Sequence, residues 1–373
     1  MMQTHRFRRL GHLDLPGGGQ VAVADGTAFV GHMRPPIGTS LVDVRDPRRP
    51  RVVGEVRVPE NVHSHKVRPF GHGLIAVNHE LAKGMRGPID PGLRILDVAD
   101  PARPKEVAFH RTGGIGVHRF DVDDRYAYLS TEVEGYLGAV TVILDLGDPA
   151  RPREVSRWWL PGQHTAGGEV AAWEGKAHRT HHPLRLADRL YISCWYGGFA
   201  IVDVSDLARP RTVGRLDWSP PYPNPTHTAL PIPFPLAGRR WLAVTDEDTT
   251  EEVDEDPPAF LWLVDVTAEA NPVPVATYQV DPATVSRRGS RFGAHQPRER
   301  VTDTVLFVTW FSGGLRAVDI RDPYRPREVG CFVPEPCGGE AVCQTNDVFT
   351  DERGLVYTID RRCGFDILEF DRP

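Results

Sequence analysis

No stretch of this sequence stays apolar for the roughly twenty residues that a membrane-crossing helix needs. The opening residues, "MMQTHRFRRLGHLDLPGGG", are basic but lack the apolar core of a secretory signal. Cysteine is scarce: Cys194, Cys331, Cys337, Cys343 and Cys363 are an odd number, with no Cys-x-x-Cys pair. These absences point to a reduced, cytoplasmic protein with no membrane partner, and they leave open whether Cys337 and Cys343 in "PCGGEAVC" are joined. Basic residues are scattered among acids and the net charge is −6, which argues against a nucleic-acid partner. Neither type of phosphate-cradling glycine loop is present, and no nucleophile elbow supports Ser-His-Asp catalysis.

What the sequence has in quantity is turn residues, 36 Gly and 34 Pro spread along 373 positions. At that length one hydrophobic core usually stops growing, so the options are two ordinary domains or one repeat-built body. Six segments read alike: "SLVDVRDPRRPRVVGEV", "RILDVADPARPKEVAFH", "VILDLGDPARPREVSRW", "AIVDVSDLARPRTVGRL", "WLVDVTAEANPVPVATY" and "RAVDIRDPYRPREVGCF". In each, a β-branched run meets an Asp and a proline-bearing turn, then a second short apolar run follows. That is a β-hairpin, since Pro fixes φ and cannot donate to a ladder. A seventh copy, "FDILEFDRP", breaks off before its second strand, and "HRFRRLGHLDL" near the N-terminus resembles the missing piece. The expected fold is therefore all-β: one seven-bladed β-propeller over residues 1–373, closed by pairing the N-terminal strand (within 1–15) with the C-terminal blade. Asp43, Asp97, Asp145, Asp203, Asp265, Asp319 and Glu369 mark the blades, and long loops are expected near 160–178, 217–227 and 245–260.

The apolar-Asp hairpin, most clearly "AIVDVSD" at 200–206, resembles the LVIVD-repeat family, and the resemblance runs from about Gly17 to the C-terminus. It implies the propeller fold and says little about chemistry.

Each hairpin should be preceded by two inner strands. The second of these reads "TAFVGH" (27–32), "LIAVNH" (74–79), "AYLSTE" (127–132), "LYISCW" (190–195), "WLAVTD" (241–246), "VLFVTW" (305–310) and "LVYTID" (355–360). Stepping back nine residues from three of them reaches His65, His118 and His181, and from the seventh Asn346. Longer steps in blades five and six reach His227 and His295, while blade one has Gly18. Five consecutive blades thus carry histidine at one structural position, near the start of the innermost strand. Imidazole is a common transition-metal ligand, so these five are expected to bind a metal ion: Fe or Cu is favoured, Zn or Mn is the alternative. The competing reading is that they make turn or inter-blade hydrogen bonds, repeated because the blades are copies. His182 should face the other side of its strand, His63 and His178 lie on the same rim, and His72 falls in a turn at the far face.

The ends of the second strands should return to the histidine face, bringing His32, His79, Glu132, Trp195, Asp246, Trp310 and Asp360 there, with Glu80, Glu134, Glu247 and Arg361 close behind. Glu132 is the first candidate for a catalytic carboxylate, followed by Glu80 and Asp246. Trp195, Tyr196, Trp310 and Phe311 form either a wall for an organic substrate or blade packing. The acid-rich "TDEDTTEEVDEDPPAF" (245–260) lacks the frame of a calcium loop and reads as a solvated loop or lid.

A propeller with converging inner-strand histidines resembles two metalloenzyme groups. These are the carotenoid-cleaving oxygenases, with four histidines on Fe²⁺, and the selenium-binding protein/methanethiol oxidase type. "HRTHH" also has a fainter likeness to the copper site of nitrous oxide reductase. These resemblances imply that His65, His118, His181, His227 and His295 supply the ligands. An oxidoreductase acting on a small organic substrate is the favoured function, because a nitrogen-rich shell with an open position suits Fe and Cu. The alternatives are a metal-dependent lyase or hydrolase with Glu132 as base, and a non-catalytic protein-binding scaffold.

Overall fold

The repeated aspartates end strands because their side chains close turns. In the computed structural model, which describes residues 2–15, 17–71, 73–219, 222–250, 259–285 and 290–373, Asp43, Asp97, Asp145, Asp203, Asp265 and Asp319 each accept a hydrogen bond from the backbone N–H two residues on, at 2.8–3.2 Å. Asp46, Asp100, Asp148, Asp206 and Asp322 repeat the contact at 3.0–3.2 Å in the same turns. These Asx turns release the chain from the strand and reverse it. The apolar run before each turn is a central strand covered on both faces, so it reads as continuous Val, Ile and Leu.

The chain forms two compact units, one of residues 1–28, 43–51 and 218–373, the other of residues 29–42 and 52–217. The second unit holds three successive antiparallel meanders. The first runs Val67–Phe70, Leu74–Leu81, Gly92–Asp97 and Lys105–Arg111. The next runs Gly113–Val122, Tyr126–Glu132, Ala139–Asp145 and Arg153–Trp158. The last runs His178–Leu186, Arg189–Trp195, Phe199–Asp203 and Arg211–Leu216. Their facing sides bury Phe120, Leu129 and Val142 in one apolar cluster and Ile143, Ile192 and Val202 in another. Burial of each such side chain stabilises by about 1.5–3 kcal/mol.

The first unit has the meander Thr226–Pro231, Trp241–Asp246, Leu261–Asp265 and Val273–Tyr278. A further sheet runs Thr345–Thr350, Val356–Asp360 and Gly364–Phe370, and its outer strand is Phe7–Leu13 from the N-terminus, in register Phe7↔Phe370. The preceding sheet, Val305–Thr309, Leu315–Asp319 and Arg327–Val333, takes Gln3–His5 at its edge. Its inner strand is irregular: the segment with His295 makes only the bridge Pro297↔Val308 and a few backbone bonds, because Pro297 has no N–H to give. Thr27–His32, Ile37–Asp43 and Arg51–Arg57 are three further strands. The architecture is all-β and propeller-like, and among the described residues no helix is long and apolar enough to cross a membrane.

The cysteine reading needs correction. The chain is not fully reduced: Cys337 is joined to Cys363, with Cα atoms 5.3 Å apart, and not to Cys343. The partner comes from the tight turn at the start of the final strand, a contact that local spacing does not show. Cys343 is buried instead, its Sγ 3.5 Å from the Ser312 carbonyl, and Cys194 and Cys331 are also free. His72 and the 251–258 portion of the acid-rich loop lie outside the described residues.

Candidate metal centre

The histidines reached by the repeat sit at irregularities of the ladder. Pairing passes from Val117↔Thr131 to Arg119↔Ser130, so His118 is the extra residue of a β-bulge. His227 is skipped in the same way between Thr226↔Asp246 and Thr228↔Thr245, and Asn346 between Thr345↔Asp360 and Asp347↔Ile359. His181 and His65 fall within longer register shifts, between His178 and His182 and between His63 and Val67. A bulge re-aims the side chain that it carries. Neighbouring strands hold the bulges in place: Asn78 Nδ2 donates to the Val117 carbonyl (3.0 Å), and Ser130 to that of Thr180 (2.7 Å). Thr245 donates to the carbonyl of His295 (2.7 Å) and Thr309 to that of Asn346 (3.0 Å).

In the second unit, ligand atoms of His63, His65, Glu80 and His118 lie within 4.8 Å of one another. Two glycines allow the approach. A Cβ on Gly31 would stand 2.4 Å from the His65 carbonyl oxygen, and one on Gly116 (φ +106°), which pairs with Glu80, 2.3 Å from that of His79. Glu80 is 3% exposed, and its Oε2 lies 2.8 Å from His118 Nδ1 and 2.9 Å from His63 Nε2. Burial alone would raise the Glu80 pKa, but His118 and His63 outweigh it and bring it down to about 2. Burial lowers the pKa of His118, against the pull of Glu80, so the ring is neutral with its proton on Nδ1. That leaves a lone pair on His118 Nε2, which stands 3.1 Å from Nε2 of His181. His65, 1% exposed, is also held neutral, first by burial and then by His63 and His118. Its Nδ1 is 3.3 Å from Asn78 Nδ2, and its buried Nε2 has no hydrogen-bond partner among the described residues.

This donor set fits a transition-metal ion. An orphaned buried nitrogen costs about 1–3 kcal/mol unless something fills the gap. Two cis nitrogens on one metal, each bonded at 2.0–2.1 Å, are about 2.9–3.4 Å apart, which matches the His118–His181 separation. Glu80 behind His118 is the carboxylate–histidine arrangement that fixes a ligand's tautomer. The open edge is at His118, whose side chain is 24% exposed. There the Trp195 ring lies 4.7 Å from His181 with the Arg179 guanidinium over it at 4.7 Å, and Lys176 covers Tyr196 at 4.5 Å. Trp195 adopts φ +56°, a strained conformation for a bulky side chain that concentrates at functional sites.

In the first unit, His227 and His295 are both fully buried, with ring centroids 4.2 Å apart. Glu247 lies 3.9 Å from the Nε2 of each and pairs with Arg291 at 2.8 Å. Phe311, at φ +47°, packs on His295 at 4.5 Å and carries Arg291 and Arg361 over its ring.

The remaining candidates are engaged elsewhere. Glu132 accepts the Ile115 N–H at 3.0 Å and belongs to neither imidazole group. Asp246 is buried between the indole N–H groups of Trp262 (2.7 Å) and Trp218 (3.3 Å), and burial, opposed by those donors, raises its pKa to about 8. His32 bonds Ser40, His79 bonds the Asp90 carbonyl, His178 stacks on Trp173, and the fully buried Trp310 packs against Tyr278. His182 Nε2 lies 3.5 Å from Lys66 Nζ. Sequence reasoning gave His63 only a peripheral place. The signal was present in "VHSH", since residues two apart on an extended strand share a face.

Among known families, residues 188–217, which span the "AIVDVSD" hairpin, match the LVIVD repeat. Set against curated proteins, the sequence finds no match. Among solved structures, it is similar to the Myceliophteria thermophila Cps50 (Swd1) β-propeller domain, with TM-score 0.61 and 13% identity over 98% of this chain and 100% of that one. It is similar to the WD40 β-propeller domain of Doa1 at TM-score 0.63 and 8% identity, covering 98% and 97%. A streptogramin B lyase structure gives TM-score 0.58 and 11% identity, covering 98% and 97%. At these identities the likeness concerns the fold alone. The comparisons thus show one LVIVD repeat, at residues 188–217, in a chain with a β-propeller-like fold.

Proposed function

We propose that this protein is a metal-dependent enzyme, an oxidoreductase acting on a small organic substrate, built on a seven-bladed propeller closed by the N-terminal strand. The blade count and closure draw support from the three meanders of the second unit, from the meander and two further sheets of the first, and from the pairing of Phe7–Leu13 with Gly364–Phe370. The metal centre would be held by His65, His118 and His181, with His63 beside them. One observation carries this reading: His118 is locked by Glu80 with its Nε2 lone pair 3.1 Å from another imidazole nitrogen. A nitrogen-rich shell with an open position suits Fe or Cu and would supply Lewis-acid or one-electron chemistry.

Of the three carboxylates considered for proton transfer, Glu80 keeps a part, but as a positioning residue. Its Oε2 is already shared by two imidazoles. Substrate would enter over Trp195 and Arg179, beside the exposed edge of His118, while burial of the other imidazoles excludes water from behind. The test is elemental analysis of protein purified without an affinity tag, together with His118→Ala and His181→Ala. The expected result is a bound transition metal that both substitutions remove while the circular dichroism spectrum is unchanged. Absence of metal after loading, or full retention in both variants, contradicts the reading.

A further inference from the structure

We infer a second metal-binding site in the first unit, formed by His227, His295 and Glu247 and suited to a divalent ion such as Mn²⁺, Fe²⁺, Co²⁺ or Zn²⁺. It rests on observations at His227, His295 and Glu247 and not on the proposed centre at His118.

His295 Nδ1 lies 2.7 Å from the carbonyl oxygen of Asn346, and a carbonyl can only accept, so this nitrogen carries the proton. In a neutral ring, Nε2 is then a lone pair. That lone pair faces the Glu247 carboxylate at 3.9 Å, beyond hydrogen-bonding distance and with like polarity on both sides. His227 brings a second imidazole to the same carboxylate. Its Nδ1 is taken by the Thr228 hydroxyl at 2.7 Å, and its Nε2 stands 3.9 Å from the other Glu247 oxygen. Two fully buried imidazoles thus stand 3.9 Å from the oxygens of one nearly buried carboxylate, too far for a hydrogen bond to it. Two metal–ligand bonds of about 2.0–2.2 Å span up to about 4.2 Å, so one cation can reach all three groups with only a small movement.

The surroundings favour occupation by a cation over chance proximity. Arg291 holds Oε1 of Glu247 at 2.8 Å, which orients the carboxylate and leaves Oε2 turned toward His227. Thr245 fixes the carbonyl of His295, and Thr309 that of Asn346, so the imidazole is braced through the backbone on both sides. Phe311 closes the apolar side against the His295 ring. Two histidines and one carboxylate form a recurring donor set for borderline divalent ions that leaves further positions open. The alternatives are an imidazolium at His295 paired with Glu247, or a water between them.

The test is a Co²⁺ titration of metal-stripped, full-length protein, followed by visible absorption and by equilibrium dialysis. Wild type is expected to bind two equivalents per chain. Glu247→Gln and His295→Ala should each weaken one equivalent by about 100-fold or more and spare the other, while His118→Ala removes the one that they spare. Circular dichroism verifies the fold, and the conservative Glu247→Gln guards against a folding defect in His295→Ala. One equivalent that survives Glu247→Gln and His295→Ala but is lost in His118→Ala overturns this inference and leaves the proposed centre standing. One equivalent with the opposite pattern supports this site and removes that centre. A single equivalent lost in all three variants also overturns the inference, as does binding of none.

Discussion

His118 is gripped at one nitrogen by Glu80, 2.8 Å away, and presents the other to His181 at 3.1 Å. The carboxylate decides where the proton sits, and so which nitrogen is available to a ligand. This explains why a glutamate on Leu74–Leu81 matters to a histidine on the following meander.

Replacement of Glu80 by Gln keeps the volume and removes the anion. Metal affinity at the proposed centre should fall about 10- to 100-fold, the usual effect of losing a carboxylate behind a ligating imidazole. Chelator competition in dialysis measures it. An unchanged affinity would mean that Glu80 does not set the tautomer of His118.

Asp123 organises the turn between Gly113–Val122 and Tyr126–Glu132. Its carboxylate takes the N–H groups of Arg125 and Tyr126, the Tyr128 hydroxyl at 2.7 Å and the Arg185 guanidinium at 2.8 Å. Burial would raise its pKa, but these donors outweigh burial and lower it. A depressed carboxyl contributes stability that is present above the unfolded-state value near 3.9 and is lost as pH falls through the folded value. Asp123→Asn should therefore destabilise by about 1–2 kcal/mol at pH 7, and the gap from wild type should close below about pH 4. Urea unfolding at the two pH values tests this, and a gap that is equal at both would contradict it.

The thiols offer an independent check. Burial pushes Cys194 and Cys343 up to about 12, so at pH 8 only about one in ten thousand of each is thiolate. Native protein should resist iodoacetamide at both positions. Unfolding without reductant should expose three alkylatable cysteines, and with reductant five, because Cys337 and Cys363 are joined. Five without reductant would refute the disulfide.

How much of this was legible in the sequence depends on regularity. The strands read as "TAFVGH" and "WLAVTD" coincide with Thr27–His32 and Trp241–Asp246, because strand period and turn residues leave a direct trace. The aspartates were legible as repeat markers for the same reason, and their Asx turns supply the cause. The step of nine residues leads to bulges at His118 and Asn346, yet the bulge itself was invisible, since one skipped residue leaves the apolar pattern nearly intact. The grouping of His63 with Glu80, the tie from Cys337 to Cys363 and the turn contact of Glu132 depend on where distant backbones meet. Spacing along the chain carries no record of that.

X-ray absorption at the edge of the bound metal tests the central claim most directly. A shell of three or more imidazole nitrogens at about 2.0–2.1 Å is predicted, with at least one lost in His118→Ala. A spectrum of oxygen ligands alone, identical in wild type and His118→Ala, would contradict it.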